Sequence, residues 1–89
     1  MSSKVTTDFW QLFNDLPENI QLLAKKNYDL WKEDHSHPSL RFKPIKNSVF
    51  SIRIGIYYRA LGYFEKEINT ITWFFVGSHA DYDKVLKTI

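Results

Sequence analysis

The sequence contains no cysteine among its 89 residues. A disulfide framework, a thiolate zinc site and a cysteine nucleophile are therefore excluded together. Small secreted domains often depend on disulfides, so their absence favours a reducing, intracellular setting. The N-terminal residues form no apolar segment of the signal-peptide kind, and no apolar run approaches the ~20 residues needed to cross a bilayer. We expect a cytoplasmic protein.

Several motifs that mark cofactor sites and known catalytic classes are also missing. There is no glycine-rich phosphate loop, no Gly-x-Ser-x-Gly motif and no His-Glu-x-x-His motif. His35 and His37 flank Ser36 without a third ligand, and we interpret them as part of a loop. We therefore expect neither a cofactor nor a metal.

The chain is rich in aromatic residues, with three Trp, five Tyr and seven Phe. Such side chains bury much area per residue, which a short chain needs for a stable core. Most of these rings are interpreted as core and not as base-stacking groups. The length leaves no room for a second core, so residues 1–89 are expected to form a single domain.

The net charge of +2 hides an uneven distribution. Residues 40–64 carry five basic residues and no acidic one, whereas residues 1–39 and 65–89 carry net charges of −2 and −1. A concentration of this kind indicates a phosphate-binding surface. A set of solvated outward-facing strand positions explains it equally well.

The spacing of apolar residues predicts two helices, then strands, then a last helix. Helical periodicity runs over Asp8–Leu16, with Thr7 as the N-cap, and again over Pro17–Glu33. Ser78 and Asp81 have the spacing of a capping box and open a short C-terminal helix.

Four segments alternate between apolar and polar residues, as strands do, or are apolar throughout. They are Leu40–Lys43, Val49–Ile54, Tyr57–Phe64 and Thr70–Val76, the last being the central strand. Their short connections favour an antiparallel meander. The prediction is an α+β fold, with an N-terminal helical hairpin packed on a four-stranded antiparallel sheet and a short C-terminal helix.

Arg53, Arg59 and His79 are expected on the sheet face that points away from the helical hairpin. Their side chains suit the cleavage of a phosphodiester bond. Arg53 and Ser51 point away from the core if Phe50, Ile52 and Ile54 face it. Arg59 follows the next turn and His79 ends the last strand. Guanidinium groups stabilise charge on a reacting phosphate, and an imidazole moves a proton near neutral pH. The alternative for Arg53 and Arg59 is that they are solvated residues or form salt bridges with a partner, and the alternative for His79 is an ordinary position in the first turn of the last helix.

The other candidate residues can also be explained by packing or by solvent exposure. Tyr82 belongs to the apolar stripe of the last helix, which favours packing over chemistry. Arg41, Lys43 and Lys46 are either contacts to the backbone phosphates of a nucleic acid or the solvated side chains of an edge strand.

The chain resembles the RelE/ParE toxin superfamily, and in particular its compact RelE-like members. The likeness runs from about residue 8 onward and is most specific at His37–Lys43, at Phe50–Gly55 with Tyr58–Ala60, and at Trp73–Tyr82. It implies the RelE-like fold and the toxin of a type II toxin–antitoxin pair. RelE-like toxins cut mRNA in the ribosomal A site without a metal, using the 2′-hydroxyl of the substrate as the nucleophile.

The resemblance also implies roles for individual residues. Arg59 matches the arginine that holds the scissile phosphate, Arg53 matches one of a pair of basic strand residues, and His79 falls where an arginine or histidine follows the last strand. Tyr82 corresponds to the C-terminal aromatic residue. Ser51 stands where the second basic residue often lies, which removes one cation.

A cognate antitoxin is implied as a partner, together with the ribosome and mRNA. An acidic, partly disordered antitoxin is expected to cover an apolar sheet surface formed by Leu61, Tyr63, Phe74 and Val76. Two other functions stay open: a ParE-like toxin that binds gyrase, and a RelE-fold binding module without strong catalysis.

Overall fold

The computed structural model describes residues 1–89, which form three helices and a five-stranded sheet. Helix α1 spans Thr7–Asn14, α2 spans Glu18–Glu33 and α3 spans His79–Leu86. All three helices were predicted, each to within two residues at its N-terminus. Helix α1 begins one residue early because Thr6, and not Thr7, is its N-cap: the Thr6 hydroxyl accepts a hydrogen bond from the Phe9 amide at 3.1 Å. None of the helices is long and apolar enough to cross a membrane.

The strands are β1 (Ser2–Val5), β2 (Lys43–Lys46), β3 (Val49–Ile54), β4 (Tyr58–Glu65) and β5 (Thr70–Ser78). They are ordered β1-β5-β4-β3-β2, so β2 to β5 form the predicted antiparallel meander with β5 in the interior of the sheet. The prediction of four strands was wrong by one: β1 pairs with β5 in parallel and makes the sheet mixed. Sequence periodicity missed it because the strand is four residues long and contains a single apolar residue, Val5.

The segment predicted as a strand at Leu40–Lys43 is mostly something else. Residues Pro38–Leu40 form one turn of 3-10 helix, capped by the His37 ring, whose Nδ1 accepts from the Ser39 amide at 3.2 Å. Arg41 then adopts a left-handed conformation with φ 48°, and β2 starts only at Lys43. The apolar residue that imitated a strand, Leu40, is completely buried in the main core.

The two faces of the sheet carry separate cores. Helices α1 and α2 cover one face and form the larger core with residues such as Trp31, Ile52 and Trp73. Helix α3 packs on the opposite face, where its Tyr82 forms the smaller core together with Val49, Leu61 and Phe75. The second face is therefore not an open surface, since α3 covers part of it.

A β-bulge in β5 decides which of its residues face α3. Leu61 pairs with Phe75, but the next residue, Gly62, pairs with Trp73, so Phe74 is the extra residue. Phe74 and Phe75 both contribute to the core under α3, and Val76 turns to the core under α1 and α2. Gly62 is required here because a Cβ would come within 2.8 Å of the Ile71 and Trp73 side chains.

Candidate nucleic-acid site

A basic depression of about 480 Å³ lies beside α3, on the sheet face that α3 partly covers. Four of its eight lining residues are basic and none is acidic. Low-dielectric walls around charges of one sign concentrate their field, so the depression attracts an anion such as a phosphate. The lining residues are Arg41, Lys43, Ser51, Arg53, Ile56, Arg59, His79 and Tyr82.

Arg53 and Arg59 lie directly opposite each other on β3 and β4. Both side chains are half-buried. Arg53 Nε donates to the Gly55 carbonyl at 2.9 Å, and Arg59 Nη1 donates to the Tyr58 carbonyl at 2.8 Å. Each guanidinium has five N–H donors, so these bonds orient the two groups and leave most of their donors for a ligand.

His79 reaches the depression because it is the first residue of α3. The Ser78 hydroxyl caps this helix by accepting from the Asp81 amide at 3.2 Å, as the spacing predicted. The His79 amide donates to the Tyr57 carbonyl at 2.6 Å, which fixes the start of α3 against the β3–β4 turn. The position of the imidazole is therefore set by a helix cap and by a backbone hydrogen bond.

Asp83 is the residue of this site that the sequence reasoning missed. Its Oδ2 lies 3.2 Å from Nδ1 of His79, and both side chains are about half exposed. A proton on Nδ1 held by this carboxylate leaves Nε2 as the other proton-transfer atom. The signal in the sequence was the four-residue spacing of His79 and Asp83 on a predicted helix, which places the two on one face.

Tyr82 is a core residue that also borders the depression. Its ring belongs to the small core and is only 8% exposed, yet it lines the depression and contacts the His79 ring edge-to-face, with centroids 5.6 Å apart. The contact restricts the orientation of the imidazole. A catalytic role for Tyr82 stays a prediction.

Of the three residues predicted to contact the RNA backbone, Arg41 and Lys43 line the depression and Lys46 does not. Lys46 ends β2, next to the turn at Asn47, and is exposed to solvent. Lys43 is the strand partner of Ser51, whose side chain is only 3% exposed. Ser51 occupies the position where the resemblance implied a second basic residue. It therefore places a buried hydroxyl group in the wall of the depression.

The predicted apolar surface of Leu61, Tyr63, Phe74 and Val76 does not exist as one surface. Leu61 is fully buried under α3, and the bulge at Phe74 turns Val76 to the opposite core, where it is 1% exposed. Tyr63 remains open to solvent, with 48% of its area exposed, and Phe74 is half-buried against the small core. Strict alternation predicted one face because it took no account of the bulge or of α3.

No three His, Asp or Glu side chains lie close enough together to hold a metal ion. The depression consists of basic, hydroxyl and aromatic groups, which suit an anionic ligand and not a divalent cation.

Comparison with known proteins gives matches to solved structures only. No family model matches the chain, and no curated protein matches it. The RelB–RelE antitoxin–toxin complex from Methanococcus jannaschii matches with a TM-score of 0.72 at 21% identity, over 91% of this chain and 96% of that chain. The toxin–antitoxin complex RelBE2 from Mycobacterium tuberculosis matches with a TM-score of 0.64 at 22% identity, over 88% and 96%.

A YoeB/ParE toxin from Agrobacterium tumefaciens also matches, with a TM-score of 0.68 at 13% identity over 89% of this chain and 99% of that chain. The chain therefore has the RelE-like toxin fold. The predicted α+β fold and the resemblance to this superfamily are confirmed at the level of the fold, with the added strand β1 as the correction.

Proposed function

We propose that residues 1–89 act as one toxin domain of a type II toxin–antitoxin pair, and that this toxin cuts mRNA in the ribosomal A site. The observation that carries the proposal is the basic depression, in which Arg53, Arg59 and His79 lie together with no acidic side chain in the wall. The fold supports it, because the structures that match include toxins solved with their antitoxins.

The proposed reaction is an internal transfer at one phosphate of the RNA. The 2′-oxygen forms a bond to phosphorus and the bond from phosphorus to the 5′-oxygen breaks. The products are a 2′,3′-cyclic phosphate and a 5′-hydroxyl. The 2′-hydroxyl loses a proton and the 5′-oxygen gains one, so the reaction needs no cofactor and no water.

Negative charge builds on the non-bridging oxygens during this transfer. Arg53 and Arg59 are the groups that would stabilise it, since both guanidiniums line the depression and are oriented by the turn carbonyls. Arginine suits this task because its planar donor group matches phosphate oxygens. Arg41 and Lys43, at the rim, would bind the flanking phosphates.

His79 would carry out one of the two proton transfers. Its Nδ1 faces the Asp83 carboxylate at 3.2 Å, which favours a proton on that nitrogen and directs Nε2 to the substrate. The half-exposed carboxylate would orient the ring, as a third group does in other imidazole-based sites.

The test is a cell-free translation reaction programmed with one defined mRNA, in which the 5′ ends of any fragments are mapped. Wild-type protein is expected to produce cuts only when ribosomes are present, and Arg59→Ala and His79→Ala to reduce them by at least about 100-fold. Lys26→Ala is the matched control, because it removes one cation from an exposed position on α2, on the other side of the sheet.

Two outcomes would contradict the proposal. If Arg59→Ala and His79→Ala both cut mRNA at the wild-type rate, neither residue belongs to the catalytic site. Intact mRNA together with damaged DNA in cells that express the protein would indicate a gyrase-binding toxin.

This proposal requires an antitoxin as a partner. The toxin itself would act on ribosomes in the cytoplasm. The antitoxin would carry acidic residues against the basic depression, since it has to neutralise the same cations that bind RNA. A chain co-expressed from the neighbouring gene should therefore protect cells and bind with a salt-sensitive affinity.

A further inference from the structure

The turn between β3 and β4 exposes two large apolar side chains next to the basic depression. Ile56 is 66% exposed and lines the depression, and Tyr57 is 70% exposed. The turn geometry does not require either of them, because Gly55 supplies the left-handed conformation with φ 64°. Turns are usually built from small or polar residues, so this pair calls for a reason other than folding.

The same turn and the first residue of β4 are tied to the site by their backbone carbonyls. The carbonyls of Gly55, Tyr57 and Tyr58 accept hydrogen bonds from Arg53 Nε, the His79 amide and Arg59 Nη1, at 2.9, 2.6 and 2.8 Å. The three donors belong to three of the four candidate catalytic residues. The turn therefore keeps a fixed position relative to the basic groups, and a ligand that contacts it loses little free energy in ordering the loop.

We propose that Tyr57, with Ile56 beside it, forms the stacking platform for one base of the bound RNA, next to the phosphate held by Arg53 and Arg59. This inference rests on the proposed function and adds the residue that would contact a base. Proteins that bind single-stranded RNA combine a positive groove for phosphates with exposed aromatic rings for bases. Here the wall of the depression has four cations and no acid, and the exposed ring belongs to the residue that follows Ile56, which lines the depression.

Among possible occupants of this edge, a nucleotide fits both chemistries at once. Its phosphate matches the guanidiniums and its base matches the flat, solvent-exposed tyrosine ring. Stacking does not depend on the identity of the base, so Tyr57 would add affinity and position the strand without imposing a strict sequence requirement.

The experiment combines amino-acid substitutions in the protein with the removal of single bases from the mRNA. Ribosomes are programmed with a defined mRNA, or with three versions in which one nucleotide of the A-site codon lacks its base. Cleavage rates are then measured over a range of toxin concentrations. We expect Tyr57→Ala to reduce cleavage efficiency about 5- to 150-fold on the intact mRNA, and Tyr57→Phe, which keeps the ring, by less than about twofold.

The loss should depend on the base that is missing. At one codon position the abasic mRNA is expected to be cut poorly by wild-type protein, and Tyr57→Ala should then cause no further loss, because the partner of the ring is gone. Leu22→Ala is the control for removal of an exposed apolar side chain; Leu22 is 61% exposed on α2, and this variant should behave as wild type.

The outcomes separate this inference from the function on which it rests. If Arg59→Ala abolishes cleavage and Tyr57→Ala does not change it, Tyr57 has no base partner and only the present inference fails. An equal loss with Tyr57→Ala on intact and all abasic mRNAs would also overturn it, since the ring would then contact ribosome or protein. If wild-type protein cuts none of the mRNAs, the proposed function fails and the inference fails with it.

Discussion

Arg53 and Arg59 form a cross-strand pair of like charges: Arg53 donates a hydrogen bond to the Gly55 carbonyl in the turn, and Arg59 donates one to the Tyr58 carbonyl at the start of β4. Like charges directly opposite each other on a sheet are destabilising. The carbonyl groups offset part of this repulsion by accepting from the guanidiniums. Residues selected for stability alone would not be paired in this way, so the pair favours a functional role.

Replacing either arginine with methionine should separate stability from activity. We expect Arg53→Met and Arg59→Met each to change the free energy of unfolding by less than about 1 kcal/mol, because relief of repulsion offsets the lost hydrogen bond. Urea unfolding of the two single variants and the double variant gives the coupling between the residues. It should be unfavourable at low salt and become smaller as salt is added; a favourable coupling would show that the pair is not repulsive.

The cap of α3 should matter for both stability and cleavage. Ser78→Ala removes the acceptor of the Asp81 amide, which should cost about 1 kcal/mol of unfolding free energy. It should also lower cleavage, since His79 is the first residue of the helix that loses its cap. Ser78→Asn restores a capping side chain and should recover both properties; thermal unfolding and the mRNA cleavage assay measure them.

Gly62 should tolerate no side chain. A Cβ at this position would lie 2.7 Å from Ile71 Cγ1 and 2.8 Å from Trp73 Cε3. Overpacking of this kind typically costs about 1–3 kcal/mol, so Gly62→Ala should lower the urea midpoint by the corresponding amount. An unchanged midpoint would mean that β4 and β5 can separate at the bulge without loss.

Strand β1 should add stability through one side-chain hydrogen bond as well as through its pairing with β5. Ser3 Oγ and the Tyr28 hydroxyl on α2 are hydrogen-bonded. Tyr28→Phe and Ser3→Ala should each cost about 0.5–1.5 kcal/mol, and the double variant should cost less than the sum of the two, because both lose the same bond. Additive losses in chemical denaturation would exclude the bond.

The elements with strong periodicity were predictable from the sequence, and those that depend on distant partners were not. The helices and strands β3 to β5 repeat their apolar residues over six or more positions, so periodicity found them. Strand β1 has only four residues, and it exists because β5 offers a free edge to pair with. Such long-range pairing leaves little mark on a short segment of sequence.

The candidate site was only partly predictable, and the limit was again that some features depend on distant parts of the chain. Strand alternation placed Arg53 on the face away from the hairpin, and Arg59 and His79 were added because they lie after a turn and at a strand end. The structure brings all three into one depression. Alternation failed at Val76 because the bulge at Phe74 shifts the register by one residue. Asp83 was overlooked because the four-residue spacing from His79 on the predicted helix was not used to look for a partner of the imidazole.

The parallel pairing of β1 with β5 joins residues that are far apart in the chain. During synthesis Ser2–Val5 is made before its partners at residues 70–73. His79 and Tyr82, which complete the depression, follow β5 in the chain. The sheet therefore cannot close, and the depression cannot form, until β5 and α3 have been made. On the function proposed here, a ribosome that translates this chain meets no complete site before α3 has been made.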